Sequence, residues 1–163
     1  MRIERGIVLA AGASKRLGSH KALIEIEGQT LVQLVCSKLQ SAGLSVTVVT
    51  RNSLKQKIEN LLPNVSTVVN PNPELGRTGT IQRGIESIGT GPLLIIPVDR
   101  PGFSLETINL LCKTNTTTIP TYEQKGGHPI AITSQDCENI MQAEPDIPLR
   151  ELISPERMHV EDP

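Results

Sequence analysis

Gly6-Ile-Val-Leu9, running straight into Ala10-Ala-Gly-Ala-Ser-Lys-Arg-Leu-Gly-Ser-His-Lys21, is a short apolar run that empties into a basic, glycine-bearing loop. A run without polar alternation suits a strand covered on both faces, as parallel strands of α/β proteins are. In the loop, Gly12 and Gly18 allow the backbone close to a ligand, and successive amides in such a segment form an anion-binding concavity. Lys15, Arg16 and Lys21 place three cations within seven residues. A phosphate-gripping turn at the carboxyl end of a strand is the reading that follows. It is neither of the two better-known phosphate loops. Five residues instead of four separate Gly12 from Gly18, and Lys21 is followed by Ala22 in place of Ser or Thr. No glycine stands two residues after Gly12, so the dinucleotide fingerprint is absent too.

Outward from the loop, further apolar runs at 46–49, 65–69 and 93–96 read as strands, and the period between them changes to that of helices. Over 30–42, Leu31, Leu34, Val35, Leu39 and Ala42 form a stripe. Thr30 and Gln33 stand at capping-box spacing, and Gly43 is available to end the helix. A second helix is predicted over 53–62, with Ser53 and Gln56 repeating the box and Pro63 as the stop. Ile81, Ile85 and Ile88 mark a third, starting near Thr78. Ser104 caps a fourth, whose face carries Leu105, Ile108, Leu111 and Cys112. Later, 116–120 and 128–133 read as strands paired across a Gly126-Gly127 turn, and 134–143 and 148–153 as short helices. Buried strands alternating with amphipathic helices predict an α/β fold, a three-layer α/β/α sandwich around a mostly parallel, Rossmann-like sheet. Ligands of such sheets bind beyond the carboxyl ends of the strands, so the loops starting at Ala10, Asn70 and Pro97 should share one rim.

A length of 163 residues suits a single domain, 1–163, and with one Phe, one Tyr and no Trp its core must be aliphatic. Sixteen Lys plus Arg against seventeen Asp plus Glu leave a net charge of -1, so no overall field draws the chain to nucleic acid or anionic lipid. The scarcity of aromatic stacking platforms points the same way. Cys36, Cys112 and Cys137 lie far apart without zinc spacing. They read as reduced, core-forming thiols of a cytoplasmic protein. The start does not look like a secretory leader, and no apolar stretch approaches the length of a membrane span.

The pattern Leu-Ala-Ala-Gly-x-Ser-x-Arg-x-Gly-x-x-Lys, from Leu9 to Lys21, resembles the opening signature of MobA-like nucleotidyltransferases. These belong to a superfamily of molybdenum-cofactor guanylyl- and cytidylyltransferases and nucleotide-diphospho-sugar transferases. Asn70-Pro-Asn-Pro-Glu-Leu-Gly76 with Thr78, Thr80 and Gly84 is similar to the family's loop and helix start near the nucleotide. Pro97-Val-Asp-Arg-Pro101 resembles the strand end that presents a metal-binding aspartate, and Gly127-His-Pro-Ile130 and Asp146-Ile-Pro-Leu-Arg150 resemble later motifs. The resemblance implies transfer of a nucleoside monophosphate from a triphosphate to a phosphorylated pterin, molybdopterin, with release of pyrophosphate. It also implies Mg²⁺ held by Asp99 and a molybdoenzyme as partner. Arg16, Lys21 and Asp99 would be catalytic. Leu9, Ala10, Ala11, Gly12, Ser14, Arg16, Lys21, Asn70, Gly76, Thr78 and Thr80 would bind the nucleotide, and His128 and Arg150 would face the acceptor.

Guanylyltransferases of this type tend to carry Gly where Ala11 stands, so CTP is the expected donor in preference to GTP. Relatives also continue past the position of Pro163 into a segment with a second metal-binding aspartate. That implies weakened metal binding here, with Glu161 and Asp162 in a frayed end. Arg77, Gly79 and Arg100 depart from the family's usual residues. Two other readings follow: a nucleotide-binding or cofactor-delivery protein with little catalysis, and a transferase acting on a sugar or polyol phosphate.

Overall fold

The computed structural model describes residues 1–12 and 20–162. The sheet is built from β1 (Arg5–Ala10), β4 (Ser45–Thr50), β5 (Ser66–Val69), β6 (Leu93–Pro97), β7 (Thr118–Tyr122), β9 (Ile130–Ile132) and β10 (Glu156–His159). They lie in the order β10-β7-β9-β6-β1-β4-β5, with the short β8 (Lys125–Gly126) paired to β7. The neighbours β6, β1, β4 and β5 run parallel, as do β10 and β7, while β9 is antiparallel to both strands beside it. A separate two-stranded ribbon pairs β2 (Glu25–Ile26) with β3 (Gln29–Thr30). The mostly parallel α/β/α architecture expected from the sequence is the one observed.

Strand alternation divides the core between two layers. Val8, Ala10, Val46, Val48, Leu94 and Ile96 face α1 (Leu31–Ser41), α2 (Lys55–Leu61) and α4 (Leu105–Leu111). Ile7, Leu9, Val49, Leu93 and Ile95 face α3 (Arg77–Ile88) and α5 (Ser134–Gln142). Because successive side chains of a strand point to opposite faces, an unbroken apolar run is what a doubly covered sheet requires. Helix α3 approaches the sheet most closely at Gly84. A Cβ there would stand 2.9 Å from two methyl carbons of Ile7 and 3.0 Å from one of Val49.

The caps follow the sequence in part. Thr30 and Gln33 form the predicted capping box of α1. Gly43, at φ +84°, closes the same helix by donating to the Gln40 carbonyl while Leu44 donates to that of Leu39, a Schellman arrangement. Ser104 accepts from the Thr107 amide at the start of α4. Ser53 does not cap α2. Residues 52–54 form a 3-10 turn that buries Leu54, and the helix proper begins at Lys55. In α4, Leu105 is exposed and Thr107 is buried with Ile108 and Leu111. The turn between β7 and β8 falls at Glu123 and Gln124, both at positive φ, and not at Gly126-Gly127. Of the predicted helix over 148–153, one 3-10 turn forms, Leu149–Glu151. Among the described residues no helix is long and apolar enough to cross a membrane.

Candidate active site

β1 lies at the point where the strand order reverses, since the chain moves outward through β4 and β5 and then returns to β6 on the other side of β1. Such a switch point leaves a crevice at the carboxyl ends of the strands. A cleft of about 260 Å³ opens there, lined by Leu9 to Gly12 from the end of β1, His20 to Ala22, Gly76, Arg77 and Thr80 at the α3 start, and Pro97 to Asp99. The rim is stitched together by main-chain bonds. Val98 donates to the Leu9 carbonyl at 3.0 Å, and Asn70 to that of Thr50 at 2.8 Å.

Two predicted catalytic residues meet in this cleft. Lys21 begins a 3-10 turn, Lys21–Leu23, held in place by the buried Ala22. Asp99 sits in the turn closed by the Arg100 amide on the Pro97 carbonyl, 3.2 Å. Lys21 Nζ donates to Asp99 Oδ2 at 3.3 Å, with side-chain exposures of 32% and 34%. A pair this open adds at most about 1 kcal/mol to stability. Neither charge is therefore needed for folding, and both remain free to exchange each other for a ligand. Arg77 lines the same cleft. The amino end of α3 also faces it, because the other end of that helix is fixed at the amino end of β1 by Arg5, which donates to the carbonyls of Ile88 (2.7 Å) and Gly89 (3.0 Å). Positive helix-dipole charge is thus added to that of the side chains.

Of the predicted nucleotide set, Leu9, Ala10, Ala11, Gly12, Lys21, Gly76 and Thr80 line the cleft. Asn70 and Thr78 engage the fold instead. Asn70 donates to Thr80 Oγ1 (3.0 Å) and accepts from the Asn72 amide (2.9 Å), and the Thr78 hydroxyl donates to the Ile147 carbonyl. Ser14 and Arg16 lie outside the described residues. Thr50 and Arg51, unforeseen from the sequence, hold the loop's first carbonyls, donating to Ala10 O at 2.9 Å and Ala11 O at 3.1 Å. Their position just past a parallel strand, on the same rim, was the available signal.

A second cleft, about 400 Å³, adjoins the first at Asp99 and is lined by Arg100, Phe103, Tyr122, Lys125, His128 and Asp162 among others. Burial, then the charges of Arg77 and Arg100, push the His128 pKa down from 6.5 to about 4, with Asp99 opposing. The imidazole is therefore neutral at physiological pH. Arg150 lies apart from His128, in a groove it shares with Arg77 and Asp146. Asp162 is anchored, contrary to the frayed end expected: its carboxylate accepts from the Ser104 amide and the Thr107 hydroxyl. Burial opposes ionisation of Asp162, but those hydrogen bonds and nearby Lys38 outweigh it and hold the pKa below the usual carboxylate value.

Among the described residues no group of three or more His, Cys, Asp or Glu is placed to hold an ion unaided. An ion in this cleft would need most of its oxygens from a bound phosphate and water. Mg²⁺ in phosphate chemistry commonly takes one or two carboxylates and draws its remaining oxygens from phosphates and water, and Asp99 fits that requirement.

Residues 6–160 match the MobA-like NTP transferase domain. The chain belongs to that family. A probable molybdenum cofactor guanylyltransferase of Bacillus mycoides is 31% identical over 111 residues, 65% of this chain and 54% of that protein. The matched region thus spans about half the length of that curated relative. Among solved structures, Rv0371c of Mycobacterium tuberculosis superposes with a TM-score of 0.84 at 18% identity, covering 98% of this chain and 89% of that one. A structure of that protein with manganese aligns at 0.78 and 16%, over 98% and 89%. The 4-diphosphocytidyl-2C-methyl-D-erythritol synthase of Anaerococcus prevotii aligns at 0.74 and 17%, over 97% and 87%. At such identities these structures establish the shared fold.

Proposed function

We propose that this MobA-like domain is a divalent-metal-dependent nucleotidyltransferase of the cytoplasm. In this reading it transfers CMP from CTP to a phosphorylated pterin, molybdopterin, for eventual use by a molybdoenzyme. The supporting observation is the meeting of Lys21 and Asp99 at 3.3 Å from loops 78 residues apart, in the crevice at the strand switch point.

An acceptor phosphate oxygen attacks the α-phosphorus of the triphosphate. The new P–O bond forms as the α–β bond breaks, and pyrophosphate leaves with the electron pair. Both reactants are anions, so alignment and charge neutralisation are the protein's main tasks. Lys21 holds the phosphates and meets the charge that builds on the leaving group. Arg16, outside the described residues, is the second cation assigned to the triphosphate in this reading. The Ala11 and Gly12 backbone would contact base and phosphate, and Gly76, Arg77 and Thr80 line the same cleft. Asp99 would hold Mg²⁺, which when bound supplies Lewis-acid neutralisation of the phosphate oxygens. The acceptor occupies the second cleft, which shares Asp99 with the first. There Arg100 and Lys125 offer charge, and the neutral His128 a hydrogen bond. Arg150 stands outside that cleft, in a separate groove that meets the nucleotide cleft at Gly76 and Arg77.

The CTP assignment is supported by Ala11, which lines the nucleotide cleft where a glycine would leave more room for a purine. The test is pyrophosphate release from each of the four common nucleoside triphosphates with Mg²⁺, with and without the phosphorylated pterin. CTP should give the highest rate, and comparable rates with GTP and CTP would overturn the donor assignment. Lys21→Ala should lower kcat by about 10²–10³, the scale for losing one donor to developing charge. Full activity in that variant would remove Lys21 from the mechanism, and full activity of Asp99→Asn would do the same for Asp99.

A further inference from the structure

A lysine far from both clefts in sequence holds the loop that separates them. Lys38, in the last turn of α1, is partly buried, and its ammonium donates to the carbonyls of Pro101 and of Phe103, the latter at 3.0 Å. The same ammonium lies 5.1 Å from the centre of the Phe103 ring. Phe103 is buried among the residues packed between α1, α4 and the sheet. Asp162 secures the next residues, accepting from the Ser104 amide at 2.8 Å and from Thr107. The segment that carries Asp99 and Arg100 out of β6 is thus tied at one end by its own turn at Pro97. At the other it is tied by Lys38 and Asp162.

The chemistry of Lys38 is more than helix packing calls for. An apolar side chain of similar length could cover Phe103 without the cost of desolvating an ammonium. What it could not do is satisfy two loop carbonyls at once. Those carbonyls set the path of the chain two to four residues beyond Asp99, and Asp99 must stay within reach of Lys21 and of a ligand in either cleft.

We propose that Lys38 is a positioning residue: by holding the Pro101 and Phe103 carbonyls it fixes Asp99 at the junction of the nucleotide and acceptor clefts. The proposal rests on the nucleotidyltransferase reading for its effect on turnover and on the hydrogen bonds alone for its effect on the loop.

The two parts are measured separately in Lys38→Met, Lys38→Arg and, as a control, Lys57→Met on the exposed side of α2. Amide hydrogen exchange is followed at Arg100 and Ser104, whose amides donate to the Pro97 carbonyl and the Asp162 carboxylate, and, for reference, at residues 93–96 of β6. In Lys38→Met, loop exchange should quicken at least tenfold (about that or more) while β6 amides keep their rates, the pattern of a local opening. In turnover assays kcat should fall roughly tenfold and half-saturating Mg²⁺ should rise several-fold, with the triphosphate KM little changed, as expected when transition-state alignment is lost and ground-state binding is kept. Lys38→Arg, which can still reach both carbonyls, should recover most of each effect, and Lys57→Met should match the parent. Unchanged loop exchange in Lys38→Met, or an equal rise throughout the sheet, overturns the proposal. So does a faster loop with unaltered kcat and Mg²⁺ dependence. If the parent protein releases no pyrophosphate from any triphosphate, the transferase reading fails by itself. The exchange data, with Mn²⁺ affinity in the presence of CTP, then decide the role of Lys38.

Discussion

Replacing His128 by Gln should remove a large part of this protein's sensitivity to mild acid. The imidazole is half-buried beside Arg77 and Arg100, and burial first, then those two charges, lower its pKa from 6.5 to about 4. Between these values the unfolded chain binds a proton at this position that the folded chain excludes. Stability must then rise with pH across the window: it is fully present above the unfolded value and is lost as pH falls toward the folded one. Each tenfold change in proton affinity corresponds to about 1.4 kcal/mol, so the whole window is worth at most about 3 kcal/mol, of which about 2 kcal/mol has gone by about pH 5. That is a substantial share of a typical domain's stability of roughly 5–15 kcal/mol. The Asp162 carboxyl, held low, gives up its contribution only below the ordinary carboxylate range, outside this window. Urea unfolding followed by far-ultraviolet circular dichroism, at about pH 7.5 and about pH 5, measures the difference directly. The parent should lose about 2 kcal/mol more than His128→Gln between the two conditions. Equal losses in the two proteins, or an imidazole titrating near its ordinary value by NMR, would refute the reasoning.

Gly84→Ala gains helix propensity of about 1 kcal/mol, yet its methyl meets carbons of Ile7 and Val49 at 2.9 to 3.0 Å. Overpacking against strand residues costs roughly 1–3 kcal/mol, so a net loss of about 1 kcal/mol and a lowered Tm are expected; an unchanged or raised Tm would contradict the close packing described. Ala11→Gly should widen the base pocket and shift donor preference toward GTP by about tenfold, the lower end of what one methyl-sized contact can discriminate. The ratio of kcat/KM for GTP and CTP reports it, and a ratio that does not move would separate Ala11 from base choice.

Much of the fold was legible because its signals are local. The apolar runs at β1, β4 and β6 announce strands buried on both faces, and the Thr30–Gln33 box with Gly43 delimits α1. Where those signals compete or vanish, the sequence was silent or misleading. Ser53 has box spacing, yet burial of Leu54 in a 3-10 turn takes the helix start from it. β10, with its largely exposed Glu-Arg-Met-His run at the sheet edge, carries no apolar alternation by which to be seen. Asn70 and Thr78 have residue types suited to a nucleotide, but their hydrogen bonds go to Thr80 and Ile147.

From its own letters the chain determined that it would build a parallel α/β sheet with a basic loop after the first strand, and that Lys21 and Asp99 would each stand near a strand's carboxyl end. Tertiary structure alone decided that β6 returns beside β1, bringing those two side chains to 3.3 Å, and that Lys38 reaches across to hold the Asp99 loop. Period and capping are properties of neighbours a few residues apart, whereas these side-chain contacts join residues 63 to 78 positions apart in the chain, and only the order of strands brings them together.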